Sequence, residues 1–426
     1  MRNFKIIILF FVIILSAKNY VFSQETQISK LPKVSISTYN KKIVDEPKIS
    51  AEMTISFPSA IDNSKDSIHY SGNIGIEFRG RSSLLFDKKN FLIELKDSLQ
   101  EDISENLFGF GKGEDWILNG MYIEKTMLRI PLSFYLYHLM GNYAPKYQYV
   151  RLYLNNEYQG LYLFLEKIKR SKSRLNISKL KPNDIAGDDL TGGYILQLNW
   201  YEKDRIAFFS KHNPIERLTN PLSFLYYYPK KDKVKPEQLK YIENYISLFE
   251  EALFSKNFKN THKKRYDEYI DVNSFIDLMI MNELSKNPDG YKVSTFFYKD
   301  KDSKGGKLKA GPIWDFDLSF GNTKDCSCHD FEGWTYLQNQ DNENCKGIIA
   351  MPQWWFRMIN DKRFKKTLIS RWESHRQQFI NEDFINNWID KTYNDLAFDI
   401  ENNFQLWQSI EAEGLLKTPD NMPTSY

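Results

Sequence analysis

Two short acidic segments carry the residue types best suited to chemistry. One is Asn287-Pro288-Asp289-Gly290-Tyr291 and the other is Gly311-Pro312-Ile313-Trp314-Asp315-Phe316-Asp317. A predicted helix ends near Leu284, and a predicted hairpin separates the two segments. Asp289 and Asp315 therefore stand at the two ends of one hairpin and can face one space. Phosphoryl transfer uses such a pair: one carboxylate orients the attacking hydroxyl and accepts its proton, and another holds Mg²⁺ on the phosphates. Taken alone, the Asn-Pro-Asp-Gly run also reads as an ordinary turn, and Asp317 as the cap of a loop.

A second candidate is Arg79-Gly80-Arg81-Ser82-Ser83, between two predicted strands and just before Lys88-Lys89. A tight turn with free N–H groups, hydroxyls and cations can hold phosphate oxygens. A lysine borne on the next strand, Lys89 with Lys88 as its competitor, could reach the same phosphates. The plainer reading is a charged hairpin turn. Glu124 opens the only helix predicted in this β-rich region, where a glutamate can position a strand lysine or simply favour the helix dipole. Glu166 closes a predicted strand where a nucleotide-contacting connection would begin, and it reads equally as an exposed strand end. Gly109, Gly111 and Gly113 alternate without P-loop spacing and read as a loop. The six His are scattered, and neither H-E-x-x-H nor G-x-S-x-G occurs. A paired-carboxylate glycosidase stays open, because acids and aromatics are plentiful.

The elements that must position these residues follow from periodicity. Ile74, Ile76 and Phe78 alternate, as do Phe91, Ile93 and Leu95, which predicts half-buried strands. Val150–Leu154 and Leu161–Leu165 flank a turn over 155–160. Leu128, Leu132, Tyr135, Leu136 and Leu139 predict a helix from about Glu124 to Met140, with Pro131 kinking it or delaying its start. Gly192-Gly193 introduces a strand over Tyr194–Leu198. Beyond Lys230 the pattern turns helical: a helix after Pro236, another capped by Asp271, and three more beyond Pro352. Strands at Thr295–Tyr298 and Leu308–Ile313 make the hairpin between the acids.

Composition narrows the partners. The 426 residues carry a formal net charge of +3. Arg2, Lys5 and Lys18 account for it, and residues 24–426 hold 55 basic against 55 acidic residues. A nucleic-acid partner is not expected of a neutral chain. The high aromatic content, 30 Phe and 26 Tyr, argues for a substantial core. Arg2 and Lys5 precede the apolar run Ile6–Leu15, with a cleavage zone ending near Ser23, which predicts an export signal and a mature chain without a transmembrane anchor. The expected location is periplasmic, cell-surface or extracellular. There, two of Cys326, Cys328 and Cys345 would form a disulfide, with Cys345 paired to one of the other two. A metal site built from the three cysteines and His329 is the alternative.

Several segments together resemble the CotH kinase family, named for spore coat protein H. They are Arg79–Ser83 with Lys88-Lys89, Trp116-Ile117-Leu118 leading to Thr126–Arg129, and Leu152–Asn155 with Tyr158–Tyr162. Glu166, Gly192-Gly193-Tyr194, Asp289 and Trp314-Asp315-Phe316-Asp317 complete the set. The likeness runs from about Ile43 to Phe379, and the part with Cys345 and Trp354-Trp355 looks like an extension. The resemblance implies an α+β, two-lobed, atypical protein-kinase-like fold. Its parts would be a signal peptide over 1–23, a leader over 24–42, a β-rich lobe over 43–190, a mostly helical lobe over 191–400 and a tail over 401–426. It implies ATP, Mg²⁺ or Mn²⁺, and a Ser-rich protein substrate. Asp289 would be the catalytic acid and Asp315 the metal ligand, with Asp317 second to it. Arg79, Arg81, Ser82, Lys88, Lys89, Glu124 and Glu166 would serve the nucleotide. No His-Arg-Asp precedes the hairpin, and Ser294 stands five residues after Asp289 where kinases carry Asn. A non-catalytic surface, coat or adhesion protein on the same fold is the alternative reading, and a carbohydrate-active protein a third.

Overall fold

Alternating apolar residues in the first half of the chain close a barrel. A computed structural model describes residues 29–59, 66–200, 202–212, 222–338 and 351–407. The expected export signal lies outside them. The first half contains β1 (Lys33–Ser37), β2 (Ile49–Phe57), β3 (Ser67–Arg79), β4 (Asn90–Lys96), β5 (Glu105–Asn106), β6 (Lys112–Gly113) and β7 (Asp115–Asn119). These are followed by α1 (Arg129–Leu139), β8 (Tyr147–Leu154) and β9 (Glu157–Glu166). Seven strands join in the order β1-β2-β3-β4-β7-β9-β8, and a parallel pairing of β8 with β1 closes the ring.

The period of two sorts the side chains. Ile74 and Ile76, Phe91, Ile93 and Leu95, Trp116 and Leu118, and Tyr162 and Phe164 fill the barrel interior. Their neighbours Leu92, Ile117, Leu161, Leu163 and Leu165 point outward and join a second, larger core. Both faces of β9 are buried, so its sequence is a continuous apolar run rather than an alternation.

The structure corrects several sequence expectations here. Lys33–Ser37, assigned to a leader, is a barrel strand. The β8–β9 turn is only Asn155-Asn156, both with positive φ (49° and 67°), the backbone of a tight hairpin turn. The strand then continues through Gly160, whose φ of 97° accompanies a register shift opposite Leu152 and Tyr153. Helix α1 begins at Arg129 rather than Glu124, which places Pro131 in its first turn, where a missing N–H costs nothing.

The second half builds a five-stranded sheet ordered β11-β12-β10-β13-β14. Its strands are β10 (Tyr194–Leu198), β11 (Ile206–Phe209), β12 (Ser223–Tyr228), β13 (Thr295–Lys299) and β14 (Leu308–Ala310). β14 stops before the expected Ile313 because Pro312 has no N–H to donate. The helices are α2 (Pro236–Phe254), α3 (Val272–Ser285), a short turn Trp354–Met358, α4 (Lys362–Gln378) and α5 (Glu382–Leu406). Asp271 caps α3 by accepting from Ser274 N at 3.1 Å. Trp354 and Trp355 are fully buried against Phe249, Phe275 and Phe297. They are core, not an appended extension. α5 runs past residue 400 and returns to the barrel, where Asn403 Oδ1 accepts from Leu161 N at 3.1 Å. Among the described residues no helix is long and apolar enough to cross a membrane.

Candidate active site

Helix α3 ends in the segment that carries Asp289. Lys286 takes a left-handed conformation at the helix end, φ 50°, and turns the chain. Asn287 is buried, and its Oδ1 accepts from Asp289 N at 3.1 Å. The Asp289 carbonyl accepts from Lys292 N (3.2 Å) and Val293 N (2.9 Å), which winds a tight turn. A Cβ on Gly290 would stand 2.9 Å from Asn282 Cγ, so the turn needs glycine there. Tyr291 is anchored by donating to Glu283 Oε1 at 2.7 Å and packs its ring 4.6 Å from that of Trp355. The hairpin β13–β14 then brings the chain back to Asp315. Tyr291, Ser294 and Asp315 all have positive φ (70°, 47° and 54°). Such backbone strain in non-glycine residues persists only where surrounding contacts impose it.

Asp289, Asp315 and Asp317 line one cavity of about 400 Å³. Burial pushes the Asp289 carboxyl up to about 6; Lys292 opposes the rise, and Asp315 and Asp325 add to it. Burial likewise raises Asp315, against the Ser294 hydrogen bond and the charge of Arg79. Asp317 is pushed to about 7 by burial and by the charges of Asp315, Asp289 and Glu124. Asp315 thus raises Asp289, and both raise Asp317, so a cation beside them would relieve their mutual repulsion. Their oxygen donors suit a hard divalent ion. Among the described residues no three His, Cys, Asp or Glu side chains form a ready metal cage.

The barrel supplies the opposite wall. Arg79, Gly80, Arg81, Ser82 and Ser83 all line the cavity, with Asn90 and Asn119 beside them. Gly80 has φ 128°, and a Cβ there would fall 1.8 Å from Ser83 Oγ. Arg79 lies over the Trp314 ring and Arg81 over the Trp200 ring, each 5.1 Å from the centroid. The rings hold the guanidinium groups in place without neutralising them.

The other expected cofactor residues do not line the cavity, although Glu124 is near enough for its charge to raise Asp317. Lys88 is buried and donates to Leu161 O and Asn403 Oδ1, both at 2.7 Å. Its ammonium sits over the Tyr162 ring, and burial holds its pKa well below the usual lysine range. Lys89 donates to Leu84 O at 2.7 Å and so braces the turn that follows Arg81. Neither lysine lines the cavity. Glu124 is buried and pairs with Arg129; it also accepts from Thr126 N and Arg129 N, which ties down the entry to α1. Glu166 accepts from Tyr143 OH (3.1 Å) and Lys146 N (3.0 Å), with Arg174 Nε 3.6 Å away. Both glutamates stand outside the cavity wall, although Ile168, two residues past Glu166, belongs to it.

Other wall residues were not anticipated. Arg205 donates to Gln197 Oε1 (2.9 Å) and Glu202 Oε2 (2.8 Å), and all three line the cavity. No local spacing marks them, because they meet only once β10 and β11 fold. Ser294 stood out in the sequence only as a departure; in the structure it donates to Asp315 Oδ2 at 2.6 Å. Cys326 is disulfide-bonded, which removes its thiolate from any metal site, and Cys328 is a buried free thiol. Cys345 lies outside the described residues.

Comparison with known families places the molecule. The family described as CotH kinase protein matches residues 76–423, most of the chain. The match includes the segment with Cys345 and Trp354-Trp355 that looked like an extension. No curated protein matches the chain. The chain belongs to the CotH kinase family.

Proposed function

We propose that this CotH kinase family member transfers the γ-phosphoryl group of ATP to a protein hydroxyl, a serine in the first instance, with Mg²⁺ or Mn²⁺. One observation carries the reading: Asp289, Asp315 and Asp317 share a single cavity with Arg79 and Arg81, which face it from the barrel. In this reading the barrel takes the part of the smaller kinase lobe and the five-stranded sheet with its helices takes the larger. The cavity between them receives the nucleotide.

The residues divide the work by chemistry. The Arg79–Ser83 turn and its two cations meet the phosphates, whereas the ammonium groups of Lys88 and Lys89 are engaged by Leu161, Asn403 and Leu84. Ile168, Tyr227 and Gln197 also line the cavity and would meet the base and ribose. Asp315, with Asp317 beside it, would hold the divalent ion, which supplies charge neutralisation at the phosphates when bound. Asp289 orients the acceptor hydroxyl and takes its proton. The acceptor oxygen forms a bond to the γ-phosphorus, the bond from that phosphorus to the bridging oxygen breaks, and ADP departs. A base near 6 suits this task, since it is ionised at neutral pH yet basic enough to accept a proton.

Export belongs to the same proposal. It rests on the amino-terminal signal pattern and is supported by the disulfide at Cys326, a bond typical of oxidising compartments. The test is calorimetric titration of the mature protein with ATP in the presence of Mn²⁺, beside Asp315→Ala. Metal-dependent ATP binding that is lost in the variant is expected. No binding at millimolar ATP overturns the proposal.

A further inference from the structure

The hairpin strands leave one side chain in contact with the carboxylate assigned to the metal. Ser294 is buried, lines the cavity and donates its hydroxyl proton to Asp315 Oδ2 at 2.6 Å. That length belongs to charge-assisted O–H···O⁻ hydrogen bonds. Both residues have left-handed backbones, φ 47° and 54°, which few residue types adopt readily. Their placement is imposed from both sides. Val293 N donates to the Asp289 carbonyl at 2.9 Å, and β13 begins at the next residue, Thr295. Behind Asp315, Asn287 Nδ2 reaches its carbonyl at 3.5 Å. The hydroxyl therefore occupies one carboxylate oxygen and fixes the plane of the group, leaving the other oxygen for a cation.

We infer that Ser294 is the positioning residue for Asp315, doing through a carboxylate what a kinase asparagine at this spacing does by direct ligation. Outer partners of this kind orient the ligand and raise its affinity for metal, and their loss typically weakens binding 10- to 100-fold. The inference rests on the phosphoryl-transfer reading of the cavity. It concerns the site's hold on the ion, so it can be read without any turnover.

The experiment is titration of the full chain with Mn²⁺ in the presence of ATP, following free Mn²⁺ by electron paramagnetic resonance. Wild type is compared with Ser294→Ala, Ser294→Gly and Ser294→Asn. Glycine relieves the positive φ while removing the hydroxyl, and it carries the test of the hydroxyl; asparagine tolerates that φ and can either donate to Asp315 or ligate the ion itself, as in kinases. Thermal melting of each variant without metal reports the fold. The expected result is Mn²⁺ binding weakened about tenfold or more in both Ala and Gly variants, with most of the loss recovered in Asn. Equal Mn²⁺ affinity in wild type, Ala and Gly overturns the role of Ser294. Absence of Mn²⁺ binding by wild type overturns the cavity reading itself, so the two failures are distinguishable.

Discussion

Asp289→Asn should make the protein more stable at alkaline pH while abolishing phosphoryl transfer. The reasoning starts from burial. The Asp289 carboxyl titrates near 6 in the folded chain against an ordinary value of 3.8. Its folded pKa is raised, so the folded state holds the proton more tightly than the unfolded chain. Ionising the group therefore costs stability as pH rises from about 4 through 6, and the full cost is present above that. A shift of roughly two units corresponds to about 3 kcal/mol. Asparagine carries no charge and escapes this cost. It also deprives Lys292, a buried cation whose own pKa is lowered by burial, of an opposing charge. We therefore expect a net gain of about 1–2 kcal/mol at pH 8 that shrinks towards zero at pH 4. Thermal melting of wild type and variant across this range reads the difference directly. A variant less stable than wild type at pH 8, or a difference unchanged with pH, refutes the argument that Asp289 is held in a destabilising position for function.

Three further outcomes follow from the same structure. Transfer measured at saturating substrate should rise with pH through about 6 as Asp289 ionises, and a flat profile from pH 5 to 8 would contradict its role as base. Arg79→Ala and Arg81→Ala should each raise the KM for ATP about tenfold, through loss of a charge-assisted phosphate contact; a nucleotide KM unchanged in both would remove the turn from the site. Asn403→Ala takes the acceptor from Lys88 Nζ and Leu161 N together. It should cost about 2–4 kcal/mol of stability with little change in the KM for ATP, as melting and kinetics would show.

Local rules foresaw what local physics decides. The Asp271 cap, Pro236 and the apolar spacing fixed α2 and α3, and Gly192-Gly193 announced β10. Asp289 and Asp315 could be paired because only a short hairpin separates them. Barrel closure was not legible. It depends on a parallel pairing of Lys33–Ser37 with Tyr147–Leu154, more than a hundred residues away, and parallel pairing leaves no turn signal. β12 reads Ser-Phe-Leu-Tyr-Tyr-Tyr, without alternation, because much of it is buried on both faces. The two lysines illustrate the limit at the site. Lys88 and Lys89 are adjacent and chemically alike, yet one faces Asn403 of the distant helix α5 and the other its own turn. Glu124 and Glu166 have the right chemistry, but neighbouring backbone N–H groups and arginines engage them first.

The most direct test of the central claim follows the label. Purified protein is incubated with Mn²⁺ and a Ser-rich acceptor protein, with either γ-labelled or α-labelled ATP, beside Asp289→Ala and Asp315→Ala. Label from the γ position alone, transferred by wild type and by neither variant, is the predicted result. Transfer of α-label would show nucleotidyl rather than phosphoryl transfer, and equal γ-labelling by wild type and Asp289→Ala would contradict the account.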